Sequence, residues 1–356
     1  MSISQLSLTD FRNLKSTTLD FDLRFNLISG DNGSGKTSLL EAIYVLCQAH
    51  SFRTHQLKQC IQHDKEGFLL FGRFGNFKAG LTKNNKKLEI HVDGETIKRR
   101  SELVRKAPIN IVNADSFQLI EGAPQKRRAF LDWCLFHVEP SYAELWTNFQ
   151  HALKQRNRLL KTRQDLDLLD YWDQHLLEPS LKISTMRRQY CEELQNILAL
   201  ELEKILSGLS LELDYQQGWP ENQELANALK AHRERDIRSG FTGTGIHRDE
   251  IGLKSAGRKV GEVLSRGQSK RLCLALLLAI LKLARKNQQT RIILLIDDLH
   301  SELDQEAQNI IYGQLAEMDL QLFISNIDSA IPGSLRTKEF KMFHVEHGII
   351  KPRIFS

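Results

Sequence analysis

Residues Gln5-Leu6-Ser7-Leu8-Thr9 alternate in polarity, which predicts a strand with one buried face running into Asp10-Phe11-Arg12-Asn13-Leu14. A second strand is expected near 17–21, and Phe25-Asn26-Leu27-Ile28-Ser29 is a third β-prone run. From Ser38 to Leu46 the apolar residues take up helical spacing. Between about 67 and 98, the runs Phe68-Leu69-Leu70-Phe71 and Leu88-Glu89-Ile90-His91-Val92 are punctuated by Asn84-Asn85 and Asp93-Gly94. That pattern predicts an antiparallel sheet. Ile109-Asn110-Ile111-Val112 is a further buried-strand candidate.

The character turns helical from about 120 to 237. Tyr142, Leu145, Trp146, Phe149 and Leu153 make one stripe, and Leu194, Ile197, Leu198, Leu202 and Ile205 another. Pro140, Pro179, Gly208 and Pro220 are expected to divide this region, and no heptad pattern persists, so a packed lobe is predicted rather than a long coiled coil. Beyond it, Arg291-Ile292-Ile293-Leu294-Leu295-Ile296 reads as a central parallel strand, and Leu322-Phe323-Ile324-Ser325 as another. The expected organisation is therefore a core domain in two halves, 1–118 and 241–356, with a helical lobe inserted at 119–240.

Between the third strand and its helix lies Gly30-Asp31-Asn32-Gly33-Ser34-Gly35-Lys36-Thr37, which fits the phosphate-binding pattern G-x-x-x-x-G-K-[ST] in its proper strand–loop–helix setting. Glycines let backbone N–H groups turn toward phosphates at the positive end of the helix. Lys36 would neutralise the β- and γ-phosphates, and the Thr37 hydroxyl would ligate Mg²⁺. A strand ending in Asp297-Asp298 supplies the complementary carboxylates. Asp297 is the expected metal partner of Thr37, and Asp298 the group that orients an attacking water. Read alone, that pair favours a solvated turn after a core strand; beside the phosphate loop it reads as a metal site.

Composition narrows the picture modestly. With 356 residues, 41% of them hydrophobic, the chain can bury a large core. The net charge of +5 permits an anionic partner without requiring one. Five scattered cysteines, none in a C-x-x-C, are expected as buried reduced thiols. The first residues lack the apolar core of a signal peptide, and the longest apolar run, 272–281, falls short of the roughly 20 residues that span a bilayer. A soluble, cytoplasmic protein is expected.

A second anion site is predicted at Leu264-Ser265-Arg266-Gly267-Gln268-Ser269-Lys270-Arg271. Ser265 is a natural N-cap for the apolar helix that follows, and Gly267 leaves N–H groups open. Downstream, Ser301-Glu302-Leu303-Asp304 opens a helix bearing Ile310, Ile311 and Leu315. Phosphate loop, L-S-R-G-Q stretch, acid-tipped strand and S-E-L-D, in this order, resemble the ABC ATPase set. Within that superfamily the chain resembles the RecF family, the ABC/SMC-like recombination-repair ATPases. The resemblance runs nearly end to end and includes 10–14, 30–43, 51–54, 121–133 (E-G-A-P-Q-K-R-R-A-F-L-D-W), 245–252 (G-I-H-R-D-E-I-G), 264–271 and 295–304.

The resemblance implies an α/β, ABC-type ATPase head (a P-loop NTPase) with an antiparallel β subdomain and the inserted helical lobe. It implies nucleotide contacts from 30–38, Ser38 included, with Arg12 and Asn13. Ser265, Arg266, Gly267 and Gln268 would act in trans across an ATP-dependent homodimer, with Ser301 and Asp304 in the connecting loop. DNA and the RecR, RecO and RecA pathway are the implied partners, with a role in repair, replication gaps and SOS induction, and no membrane. Two positions depart from the wider superfamily: Asp298 stands where glutamate is usual, and Asn326 where histidine is usual. Asn can hydrogen-bond a phosphate but cannot titrate near neutrality, so slow hydrolysis is expected. Gln118 is a candidate metal-sensing glutamine.

For DNA, the candidate cations are Lys83/Lys86/Lys87, Lys98-Arg99-Arg100, Lys126-Arg127-Arg128, Arg156/Arg158/Lys161/Arg163 and Arg187-Arg188. Arg127 and Arg128 are alternatively internal partners. An ABC transporter ATPase subunit is the alternative reading, to be separated by a DNA-binding assay, and a P-loop kinase is a second that the 265–267 stretch argues against.

Overall fold

Six strands that pair in one direction, save the last, carry the candidate chemistry at their C-terminal ends. Their order is Ile349–Arg353, Lys341–Glu346, Phe25–Ser29, Leu320–Asn326, Ile292–Asp297, Ile109–Val112, and only the first two are antiparallel. The computed structural model describes residues 2–287, 291–299, 303–326, 333–336 and 338–353. The chain forms two compact units, Met1–Ser116 with Gln288–Ser356, and Phe117–Asn287. The parallel sheet belongs to the first of these units.

Its inner strands are buried along nearly their whole length, which is why they read as unbroken apolar runs. Register aligns Asp297 with Ser325, and Asn326 with Ser29, bringing three strand tips to one edge. An antiparallel sheet forms the other face of the unit, in the order Thr17–Asp20, Ile3–Thr9, Gly67–Phe74, Lys78–Asn84, Leu88–Val92, Glu95–Thr96. Both predicted turns are present. Asp93 and Gly94 have φ of 53° and 90°, as a tight hairpin requires, and the Asn84 side chain accepts from the backbone of Lys86 and Lys87. The helix Lys36–Gln48 packs on strands of both sheets and is buried on almost every side.

The hairpin Lys341–Glu346/Ile349–Arg353 was not anticipated from the pattern. It completes the parallel sheet beside Phe25–Ser29. Its turn, His347-Gly348, also has positive φ at both residues, and a side chain at Gly348 would collide with the Asn13 carbonyl at 1.9 Å.

The second unit contains the helices Pro124–Val138, Tyr142–Thr162, Leu169–Ile205 and Arg266–Asn287 and a sheet of three antiparallel strands, Arg258–Lys259, Glu250–Ser255 and Glu212–Gln216. Two expectations are corrected here. Pro179 does not divide the lobe; it sits inside the 37-residue helix, which continues because it packs on both Tyr142–Thr162 and Arg266–Asn287. Glu212–Gln216 is a strand, not helix, and the Gln195 side chain holds its start by pairing with the Leu211 carbonyl and the Leu213 N–H. Two arginines with no exposed surface, Arg156 and Arg187, tie this unit together. Arg156 reaches Asp173 at 2.6 Å and Asp236 at 2.7 Å; Arg187 reaches Asp249 at 2.7 Å and Asp132 at 2.5 Å. All five cysteines are buried, and none is in a disulfide. Among the described residues, no helix is long and apolar enough to cross a membrane.

Candidate functional site

The phosphate loop is built from backbone conformations that only glycine adopts easily. Gly30, Gly33 and Gly35 have φ of 148°, 79° and 123°. A Cβ on Gly30 would lie 2.2 Å from the Val345 carbonyl, and one on Gly35 2.8 Å from the Leu14 side chain. Polar ties hold the loop from outside: Asn13 Nδ2 donates to Gly33 O at 3.4 Å, Ser38 Oγ donates to Asn13 at 2.9 Å, and Gly348 N donates to Ser34 O at 2.9 Å. Lys36 folds back across the loop and donates to the carbonyls of Gly30 (2.6 Å) and Asp31 (2.9 Å). Burial holds this ammonium below the ordinary lysine range, against the opposing pull of Asp298, Asp297 and Asp31.

Thr37 Oγ1 donates to Asp297 Oδ1 at 3.2 Å, and Ser325 Oγ donates to the same oxygen at 2.6 Å. Asp298 is fixed differently. Its N–H reaches Ser325 Oγ at 3.1 Å, and its φ of 52° turns it out of the strand direction. An open cleft of about 660 Å³ is lined by Arg12, Asn13, Asn32, Gly33, Gly35, Lys36, Thr37, Ser38, Asp297 and Asp298. Two observations fit a nucleotide with its metal. The Ser34 hydroxyl is buried in the loop with no hydrogen-bond partner, as a group awaiting a phosphate oxygen would be. The Thr37 hydroxyl and Asp297 carboxylate are a hard-oxygen pair of the kind Mg²⁺ takes.

Sequence reasoning missed the residue that braces this cleft. Glu41, one turn past Thr37 on the same helix, is fully buried. It accepts two hydrogen bonds from Arg12 (2.9 and 2.6 Å), one from Arg53 (3.2 Å) and one from Ser51 (2.5 Å). Burial opposes its ionisation, but the bonds from Arg12 and Ser51 and the charges of Arg12 and Arg53 prevail, holding the carboxyl below its ordinary value. Its charge therefore stabilises the fold above pH 4.5, the unfolded value, and that contribution is lost as pH falls through the folded value. Glu41→Gln should lower stability at neutral pH by about 3 kcal/mol, since two arginines lose a buried partner. The deficit should shrink on acidification. Melting temperatures of both proteins from about pH 3 to 7 check this, and a deficit independent of pH would remove the charge from the explanation.

In the second unit, Ser265 and Gln268 form a reciprocal capping box. Gln268 N donates to Ser265 Oγ at 3.3 Å, and Ser265 N donates to Gln268 Oε1 at 2.9 Å. Ser265, Arg266, Gly267 and Gln268 are all exposed, with open space around Gly267. Gln118 opens the short helix Gln118–Glu121 in this unit. Asp304 caps Gln305–Glu317 by accepting from Ala307 N at 2.8 Å; Ser301 lies outside the described residues. Asn326 ends its strand beside Ser29.

The basic clusters divide sharply. Arg156 and Arg187 are fully buried in ion pairs and cannot meet an external phosphate, which corrects their place among the candidates. Arg127 pairs with Glu250 at 2.9 Å, and Arg128 donates to the Asp249 carbonyl at 2.6 Å, so both serve as internal partners. Lys86, Lys87, Lys98, Arg99, Arg100, Lys126, Arg158, Lys161, Arg163 and Arg188 are exposed, and Lys83 is partly so.

Residues 2–351 match the family model of the RecF/RecN/SMC N terminal domain. The chain is 36% identical over 354 residues to the DNA replication and repair protein RecF of Shewanella denitrificans, covering 98% of each, and 35% identical to that of Shewanella oneidensis at the same coverage. Among solved structures it is similar to the recombination mediator protein RecF with ATP, of the RecFOR pathway (26% identity, TM-score 0.89, 99% of this chain and 98% of that one). It shares its fold with an Smc head bound to the C-winged helix domain of ScpA (17% identity, TM-score 0.61, 100% and 98% covered). By sequence along its whole length and by fold, the chain belongs to the RecF family of DNA replication and repair proteins.

Proposed function

We propose that this chain is an ATP-gated DNA-binding protein of recombinational repair and replication-gap processing, closing as a homodimer around ATP. The carrying observation is the cleft in which Lys36, Thr37, Asp297 and Asp298 converge beside the unpartnered Ser34 hydroxyl. In this reading the ATPase head is built from 1–118 and 241–356, with 119–240 inserted. Residues 30–38, with Arg12 and Asn13, hold the triphosphate, and Thr37 and Asp297 hold the metal. When bound, Mg²⁺ would neutralise charge on the β- and γ-phosphates. Asp298 orients water, and its shorter reach, with Asn326 beside it, makes hydrolysis a slow timer. Ser265, Arg266, Gly267 and Gln268 close over the partner's γ-phosphate, with Ser301 and Asp304 in the connecting loop; the exposure of 265–268 supports this. Work in the cytoplasm with RecR, RecO and RecA, supporting SOS induction, follows from the family. The transporter reading loses its footing, since the relatives are repair proteins.

Sedimentation with ATP·Mg²⁺, ADP or no nucleotide tests the dimer. Wild type should dimerise with ATP alone, through contacts that only the γ-phosphate makes. Asp298→Asn should bind ATP and give a longer-lived dimer. Ser265→Arg should stay monomeric while binding ATP, although it also loses a cap worth about 1 kcal/mol. Gly267→Gln separates the two effects. Its side chain enters open space in the monomer and should block closure without destabilising the helix. A wild type that remains monomeric at saturating ATP, with and without DNA, would remove this role from the 265–268 stretch.

A further inference from the structure

The stretch Gly245-Ile246-His247-Arg248-Asp249 has no part in the nucleotide cleft, yet it is among the most firmly anchored in the second unit. Asp249 is buried and accepts from Arg187 (2.7 Å), Gly218 N (2.7 Å) and the Tyr215 hydroxyl. Arg187 also donates to the Ile246 carbonyl at 2.7 Å. His247 faces inward too, and its Nε2 donates to the Thr242 carbonyl at 2.8 Å. Residues 246–248 form a single tight helical turn, and its outward position falls to Arg248. Two inward anchors thus present one outward cation.

Arg248 is exposed and its guanidinium lies over the Phe241 ring, 5.3 Å from the centroid. Phe241 is itself 47% exposed, so part of its ring is open to solvent beside the guanidinium. The ring is held in place by its neighbour: Thr242 N and Oγ1 both donate to Asn157 Oδ1 at 2.7 Å, and Arg156 donates to Thr242 Oγ1 at 2.8 Å. Among the described residues no carboxylate pairs with Arg248. Its surroundings add positive charge. Lys161 is exposed, and its backbone passes close to Gly240, next to the ring. Lys154 and Arg158, either side of Asn157 on the helix, are exposed as well.

A guanidinium ordered by a ring and left without an anion has already lost much of its rotamer freedom, so an incoming phosphate gains its hydrogen bonds at little entropic cost. An exposed ring beside it offers a stacking surface to a base. We infer that Arg248 and Phe241 form a contact site for a nucleic-acid strand, a phosphate seated on Arg248 and a neighbouring base on the uncovered part of the Phe241 ring. This rests on the reading of the chain as a DNA-binding protein and says which surface does the binding. An acidic protein segment would satisfy the charge but leave the exposed ring without a role.

The test uses the full-length protein with ATP·Mg²⁺ and fluorescein-labelled single-stranded and gapped oligonucleotides, titrated by anisotropy across a salt series. Arg248→Ala should weaken binding about tenfold and reduce the salt slope by about one counterion. Arg248→Lys should keep the slope but recover only part of the affinity, because an ammonium does not form the planar fork or stack as well. Phe241→Leu should weaken binding severalfold and leave the slope unchanged. All three should melt like wild type and bind ATP normally, since the side chains are exposed. If wild type binds DNA and Arg248→Ala binds it equally, with the same slope, this site is refuted and the DNA-binding reading survives. If wild type binds no DNA under any nucleotide condition, both fall. Displacement of the oligonucleotide by equimolar polyglutamate would also overturn the assignment, in favour of an acidic protein partner.

Discussion

Lys36→Ala should weaken ATP binding by about two orders of magnitude, close to 3 kcal/mol, because the triphosphate loses a buried, charge-assisted partner. The geometry shows why no neighbour can substitute. The Lys36 ammonium already sits over the loop, bonded to the carbonyls of Gly30 and Asp31, and has only to exchange those for phosphate oxygens. Arg12 and Arg53 line the same cleft, but their bonds to Glu41 fix them in their own places, so neither can move into the position of the Lys36 ammonium. Lys36→Arg should fail almost as badly, since a planar guanidinium does not fit a slot where lysine is nearly buried. Titration with labelled ATP decides the matter. Undiminished binding by Lys36→Ala would sink the phosphate-loop assignment, and full binding by Lys36→Arg would mean that charge alone suffices.

The largest loss of stability is expected from Arg187→Ala. Removing this cation leaves the buried Asp249 carboxylate and the partly buried Asp132 without their shared counter-charge, for which a cost of about 3–5 kcal/mol is typical, or roughly 10 °C in melting temperature. Burial already holds the Asp249 carboxyl above its ordinary value, and Arg187 is the main force restraining it. Without the arginine that carboxyl should take up a proton more readily still. The variant's deficit should therefore grow as pH rises and shrink in acid. A thermal melt series in several buffers measures both. Adding Asp249→Leu to Arg187→Met should recover part of the loss; if it does not, the carboxylate is needed for its bonds to Gly218 and Tyr215 instead.

What could be read from the chain was local. The phosphate loop and the acid-tipped strand carry their chemistry on consecutive residues, so spacing alone indicated Lys36, Thr37, Asp297 and Asp298. Glu41 could not be found that way. A lone acid in a helix ordinarily marks a solvated face, and only the approach of Arg12, Ser51 and Arg53 from other elements shows that it is buried. The strand Glu212–Gln216 was hidden for a related reason, since its partner comes from Glu250–Ser255 and the intervening chain gives no sign of the pairing. Charge runs were the least informative. Lys126 and Arg127 are adjacent, yet one faces solvent and the other an internal glutamate. Exposure is set by the packing face, which a run of like charges does not reveal.

The hairpin turn at Gly348 bonds to Ser34 and Lys15, and its first strand runs beside Phe25–Ser29, with Val345 against Gly30. The phosphate loop leaves the ribosome well before the hairpin that braces it on one side. Until then, the strand before the loop lacks neighbours on both sides, since Leu320–Asn326 also comes late. A nascent or truncated chain thus carries the whole phosphate-binding motif without a shaped nucleotide site. Competence to hold ATP becomes a property of chains that have already made this hairpin, and fragments released before it should not compete with them for nucleotide.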